Sequence, residues 1–132
     1  MAPGQAPEPP PRAPPPLVLV VEDEALIAMD LELLLGGRGY RLLGPAATVA
    51  RALRLLDGGD GTPDVALLDV NLRGGTAAPV AARLRALGVP FVLASAYDDA
   101  RLAALGLGGA PSVGKPADAR RLLAALAKAA GR

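Results

Sequence analysis

The chain contains no cysteine and no histidine. The first absence excludes a disulfide, a thiol nucleophile and a thiolate metal site. The second excludes imidazole catalysis and any phosphohistidine on this chain. Aromatic residues are scarce, at 2% with no tryptophan, so the core has to be built from Leu, Val and Ala. An excess of either charge sign is missing too: 14 basic against 13 acidic residues leave a net charge of +1. With no Lys/Arg-rich run, this balance argues against a nucleic-acid partner. No apolar run approaches the roughly 18 residues of a membrane span, and nothing reads as a signal peptide. A soluble, cytoplasmic protein with no membrane partner is expected.

What the chain has in quantity is aliphatic. Apolar residues make up 52% of 132 residues, enough for one domain with a real core. Residues 1–16 differ, holding most of the fourteen prolines. Proline cannot donate to a ladder, so this segment reads as a disordered or polyproline-like tail outside the fold. Pro7-Glu8-Pro9-Pro10 has the PxxP spacing of a peptide ligand, although a spacer without a partner is the commoner outcome in such sequence. The folded domain is expected over 17–132.

From Leu17 the pattern alternates. Leu17–Val21 is continuously apolar, as a parallel strand buried on both faces would be. A helix follows in which Leu26, Met29 and Leu33 interleave with Ile27, Leu31 and Leu34, with Asp30 and Glu32 outward and Gly36-Gly37 at its end. Tyr40–Gly44 is a weaker strand. Thr48 can cap a helix carrying Val49, Leu53 and Leu56 inward. Val65–Asp69 is the third strand, followed by the Gly74-Gly75 loop and a helix with Val80, Leu84 and Leu87 inward. Val89–Ala94 is the fourth strand, ending on Ser95, with a short helix from Asp98 to Leu105. A brief fifth strand, Ala110–Gly114, leads to Lys115-Pro116, and Asp118 caps a last helix carrying Leu122, Leu123 and Leu126 inward. Five strands alternating with five helices predict an α/β doubly wound parallel sheet with right-handed crossovers. The flavodoxin-like order 2-1-3-4-5 is adopted by analogy with that fold.

Parallel strands point one way, so the polar residues that end them share an edge. Those residues are Glu22 and Asp23 after the first strand, Asp69 after the third, Ser95 after the fourth and Lys115 after the fifth. Three clustered carboxylates raise one another's pKa, a divalent cation relieves this, and oxygen-only ligands suit Mg²⁺. Each residue alone has a plainer role: helix-dipole partner, turn residue, cap or solvated charge. Lys115, however, is one of two lysines against twelve arginines, which suggests that a compact charge is needed there. Coincidence at four strand ends is improbable. The set describes a site where a carboxylate accepts a phosphoryl group.

At this point the residues resemble the receiver domain of bacterial two-component response regulators. The motifs are Val20-Val21-Glu22-Asp23-Glu24, Leu68-Asp69-Val70-Asn71, Ala94-Ser95-Ala96 and Val113-Gly114-Lys115-Pro116. The resemblance implies that Asp69 accepts phosphoryl from the phosphohistidine of a sensor histidine kinase or phosphotransfer protein. It also implies that Asp23, Asp69 and the backbone carbonyl of Asn71 coordinate Mg²⁺, with Glu22 near it through water. Ser95 and Lys115 would bind the phosphoryl oxygens, and movement of the Ser95 hydroxyl would alter a surface read by a downstream protein. Such a domain signals and turns over no external substrate. Two departures bear on switching. Ser112 stands where the family usually has an aromatic, leaving Tyr97 as the nearby aromatic that could substitute, and Arg73 stands where proline is frequent. Leu93-Ala94-Ser95-Ala96-Tyr97 also resembles the Phe-Ala-Thr-Gly-Tyr motif of a group of alphaproteobacterial stand-alone receivers. Ala100–Ala110 is rich in Ala and Gly, so the fourth helix is expected to be marginal.

Two other readings compete. A haloacid dehalogenase-type phosphatase with an aspartate nucleophile needs a second acid two residues on, and Asn71 stands there. A pseudo-receiver that binds partners without phosphorylation is disfavoured by the intact Asp23, Asp69, Ser95 and Lys115.

Overall fold

The computed structural model describes residues 15–59, 61–115 and 118–131. The proline-rich segment 1–14, with its PxxP match, and Pro116 lie outside the described residues. The elements run β1 (Leu17–Val21), α1 (Ala25–Gly37), β2 (Arg41–Ala46), α2 (Val49–Asp57), β3 (Val65–Asp69), β4 (Asn71–Leu72), β5 (Gly75–Thr76), α3 (Ala78–Ala86), β6 (Phe91–Ala94), α4 (Asp99–Ala104), β7 (Ser112–Val113) and α5 (Ala119–Ala129). The main sheet has the order β2-β1-β3-β6-β7, all parallel. This is the expected 2-1-3-4-5 arrangement, renumbered because the Gly74-Gly75 loop forms a small antiparallel hairpin, β4–β5.

Strand residues alternate between two apolar layers, as the period of two requires. Leu19, Val21, Ala66, Leu68, Phe91 and Leu93 pack against Ala52 and Leu55 of α2, Val80 and Leu84 of α3 and Leu102 of α4. Val18, Val20, Val65, Leu67, Val92 and Val113 pack against Leu35 of α1 and Leu122 and Leu126 of α5. With Phe91 as the sole buried aromatic among the described residues, both layers are aliphatic. Both strong cap expectations hold: Thr48 Oγ1 accepts from the Arg51 amide at 3.1 Å, and Asp118 Oδ1 from the Arg120 amide at 2.8 Å.

Helix facing departs from expectation in three places. In α1, Leu26, Met29 and Leu33 are 77%, 57% and 75% exposed, and Ala28 and Leu35 are buried instead. A helix apolar nearly all round carries no periodic signal to orient it, and contact with the sheet decides. In α2 the buried pair is Ala52 and Leu55, with Val49 and Leu56 half-buried. Leu87 is the C-cap of α3 and is exposed. Boundaries also shift: β2 runs on to Ala46, and β6 and β7 are shorter than expected. Gly36 and Gly37 lie inside α1, and the chain turns at Gly39, at a positive φ of 86°.

The α1 facing makes a direct prediction. Leu35→Ala should lower unfolding free energy by about 2–5 kcal/mol in urea titrations. Leu33→Ala, only two residues away, should change it by no more than about 0.5 kcal/mol.

Candidate functional site

The buried polar or charged side chains among the described residues are Glu22, Asp69 and Ser95, at 4%, 8% and 5% exposure. Burying such groups is costly without partners, so their position calls for a cause. All three stand at the carboxyl edge of the sheet, one after β1, one ending β3 and one after β6.

Backbone pairing sets each position. Asp69 is in register with Ala94, which puts Ser95 one step beyond it on the neighbouring strand. The Ser95 amide donates to the Val113 carbonyl at 3.0 Å, tying β7 alongside and bringing Lys115, two residues later, to the same rim. The Glu22 amide donates to the Ala46 carbonyl at 2.9 Å. That contact depends on an irregularity in β2, where Gly44 takes a φ of +91° and the register with β1 slips. A Cβ at Gly44 would lie 2.8 Å from the Ala46 nitrogen and 3.0 Å from the Val20 oxygen, so only glycine fits.

The side chains converge. Lys115 Nζ is 2.8 Å from Asp69 Oδ1 and 3.6 Å from Glu22 Oε1. One carboxylate oxygen from each of Glu22, Asp23 and Asp69 lies within 4.8 Å of the others. A cleft of about 360 Å³ above them is lined by Asp23, Asp69, Asn71, Ser95, Tyr97 and Lys115, among others. Burial first, and then the hydrogen bond and charge of Asp69, push the Glu22 carboxyl up from 4.5 to about 7. Burial would pull the Lys115 ammonium down, but the hydrogen bond and charge of Asp69, and then the charge of Glu22, outweigh it and hold it above 10.5. The shorter distance gives the lysine charge chiefly to Asp69, which leaves Glu22 the under-compensated acid. Three hard oxygen donors with one charge poorly balanced fit a small divalent cation such as Mg²⁺.

The sequence-derived set Glu22, Asp23, Asp69, Ser95 and Lys115 is therefore brought together. Ser112 is exposed on β7, paired with Leu93, and does not line the cleft. Arg73 is exposed in the β4–β5 turn, also away from it. Tyr97 does line the cleft, and its neighbours were not legible in the sequence. Asn71 Nδ2 donates to the Tyr97 hydroxyl at 2.8 Å, the Tyr97 amide donates to Ser95 Oγ at 2.9 Å, and the Arg101 guanidinium carbon lies 5.5 Å from the ring centroid. Asn71 and Tyr97 each stand two residues beyond a site residue, which was the available hint.

Known proteins are similar to this chain in sequence and in fold. Residues 18–127 match the family model for the response regulator receiver domain. Over 84 residues the chain is 34% identical to the phyllosphere-induced regulator PhyR of Methylorubrum extorquens, an alignment covering 62% of this chain and 31% of that protein. The chain thus spans about a third of that relative's length. The solution structure of the receiver domain of Erythrobacter litoralis PhyR superposes with a TM-score of 0.75 at 28% identity, covering 87% of this chain and 89% of that one. For PhyR from Brucella abortus the TM-score is 0.70 at 29% identity, covering 88% of this chain and 47% of that one.

The raised Glu22 value sets a pH dependence. An acid whose folded pKa lies above its unfolded one binds more protons when folded, so stability falls as pH rises from about 4.5 through about 7. In EDTA, Glu22→Gln should remove this fall and stabilise the protein at pH 8 by on the order of 2 kcal/mol in urea titrations. At pH 5 the two proteins should match closely.

Proposed function

The chain belongs to the family of response regulator receiver domains, and from that premise we propose that Asp69 is the phosphoacceptor of a two-component signalling pathway. The donor in this reading is the phosphohistidine of a sensor histidine kinase or phosphotransfer protein. The observation that carries it is the Lys115 ammonium 2.8 Å from a buried Asp69 carboxylate beside two further acids.

An Asp69 oxygen forms the new P–O bond while the donor's P–N bond breaks and its electron pair leaves with the imidazole nitrogen. Carboxylate and phosphoryl repel, so the step needs positive charge fixed before the donor arrives. Lys115 supplies part of it and, with the Ser95 hydroxyl, meets the equatorial oxygens. Asp23, Asp69 and the Asn71 carbonyl would hold Mg²⁺, with Glu22 next to it through water, and the bound ion would neutralise charge on the transferring group. Burial of Asp69 leaves its carboxylate little hydrated, which favours attack once the charge is balanced. The acid that a phosphatase would use two residues after its nucleophile is replaced by Asn71, whose amide is engaged by Tyr97.

A protein donor fits the surroundings. The exposed Leu26, Met29 and Leu33 run along α1, which starts two residues after Asp23, and offer an apolar strip on the helix that follows the acidic pair. The output in this reading is contact with a downstream protein. The proposal is for a cytoplasmic protein, and no described helix is long and apolar enough to cross a membrane.

Intact-mass analysis after incubation with acetyl phosphate and Mg²⁺ tests the site. The wild-type protein should gain one phosphoryl group, and Asp69→Asn or addition of EDTA should abolish the gain. Labelling retained in Asp69→Asn would refute the assignment. Lys115→Ala should fold normally yet lose the conformational response that accompanies phosphorylation, as read by amide hydrogen exchange.

A further inference from the structure

The sheet has a second edge, opposite the Asp69 site, where the parallel strands begin. There a cleft of about 490 Å³ lies between the start of β6, at Val89 to Phe91, and the segment before β7, at Gly108 to Pro111. Pro90 and Pro111 are exposed in its walls, and Arg85 is its one charged lining residue among those described. The Arg85 guanidinium donates from Nη1 to the Gly106 carbonyl at 3.1 Å and from Nη2 to the Gly108 carbonyl at 3.2 Å. It also stands 5.3 Å from the centroid of the Phe91 ring. These contacts hold the cation in place at low entropic cost, and its remaining N–H groups are open to an acceptor. The amides of Gly108 and Gly109 have no carbonyl acceptor among the described residues, so the same wall presents further donors. Apolar rings, backbone donors and one fixed cation suit an apolar ligand rich in acceptors that carries one acid.

The chain carries such a ligand itself. Proline has no N–H, so a proline-rich segment offers carbonyl acceptors and apolar rings without competing donors. Residues 1–14 have this composition, and Glu8 is their one acid. The segment also joins the domain at the right place. The Pro16 carbonyl accepts the Arg41 amide at 2.9 Å and the Pro15 carbonyl accepts Arg41 Nε at 3.1 Å, which fixes its point of attachment at the edge where β1 and β2 begin. β6 lies two strands from β1, about 10 Å at the usual strand spacing. Seven residues separate Glu8 from Pro15, and a polyproline chain of that length spans about 20 Å. Reach is therefore ample. Tethering also lowers the demand on affinity: at an effective concentration on the order of 1 mM, a contact with a dissociation constant of about 0.1 mM is about 90% formed.

We propose that this cleft is the docking site of the chain's own segment 1–14, with the Glu8 carboxylate on the Arg85 guanidinium and the neighbouring prolines against Pro90 and Pro111. Docked prolines of this kind are recognised by shape and by their carbonyls, since their backbone is already close to the bound conformation. The Pro7-Glu8-Pro9-Pro10 match then has an intramolecular reader, and an external one has to compete with it. The proposal is independent of the chemistry assigned to Asp69, which stands at the other end of the strands.

The absence of cysteine makes this readable, because Ala6→Cys in the full chain creates a single attachment point for a nitroxide. The measurement is paramagnetic broadening of backbone amide signals in the isotope-labelled protein. The expected result is broadening at Gly88, Gly108 and Gly109 severalfold stronger than at Gly74 and Gly75, which stand at the opposite edge. Adding Glu8→Arg to the spin-labelled chain should remove most of it, and that residue lies outside the folded elements, so the domain is not put at risk. Broadening that is absent, or equal at the two edges, would overturn the proposal. So would broadening that survives Glu8→Arg undiminished. A mixture of nitroxide-bearing and isotope-labelled molecules separates the remaining case: broadening of equal strength between molecules would give the cleft to a second copy and overturn docking within one chain.

Discussion

A buried carboxylate needs a cation, and the geometry of this protein follows from meeting that need at one edge of a sheet. Asp69 ends a strand enclosed on both faces, where its hydration is largely stripped away. The 2.8 Å contact with Lys115 balances one charge. Glu22 and Asp23 then overload the site with negative charge, and Glu22 responds by holding its proton to about pH 7. In isolation this is an unfavourable arrangement, since removing ions from water costs more than one partly buried contact returns. In the proposed function its value is readiness, with fixed groups suited to one divalent cation and one set of phosphoryl oxygens.

Parallel topology makes the arrangement possible. Side chains more than ninety positions apart in sequence meet because β1, β3, β6 and β7 run in the same direction and stop at the same level. The hydrogen bonds from the Ser95 amide to Val113 and from the Glu22 amide to Ala46 set that level at the residues where it matters. The bulge around Gly44 shows the same requirement from the other side, since a backbone irregularity with no room for a side chain aligns the first acid.

Scarcity of aromatics shapes the rest. With Leu, Val and Ala filling both layers, the chain places one of its two tyrosines at the mouth of the cleft rather than in the core. There Tyr97 joins the loops after β3 and β6 to α4 through Asn71, Ser95 and Arg101. A serine at position 112 leaves the fifth sheet strand without an aromatic of its own.

The amino-acid sequence alone determined the succession of strands and helices, the caps at Thr48 and Asp118, and the gathering of Glu22, Asp23, Asp69, Ser95 and Lys115. These depend on local pattern and on strand direction, which nearest neighbours in sequence largely encode. It did not determine which side of α1 faces the sheet, because Leu26, Met29 and Leu33 are as apolar as Ile27, Leu31 and Leu34. Beyond setting Asn71 and Tyr97 each two residues after a site residue, it held no sign that the two would meet or that Arg101 would cover the ring. Those outcomes rest on side chains from separate loops meeting across space at distances of a few ångströms. Only tertiary packing decides such meetings, since the position of each partner is set by a different part of the fold.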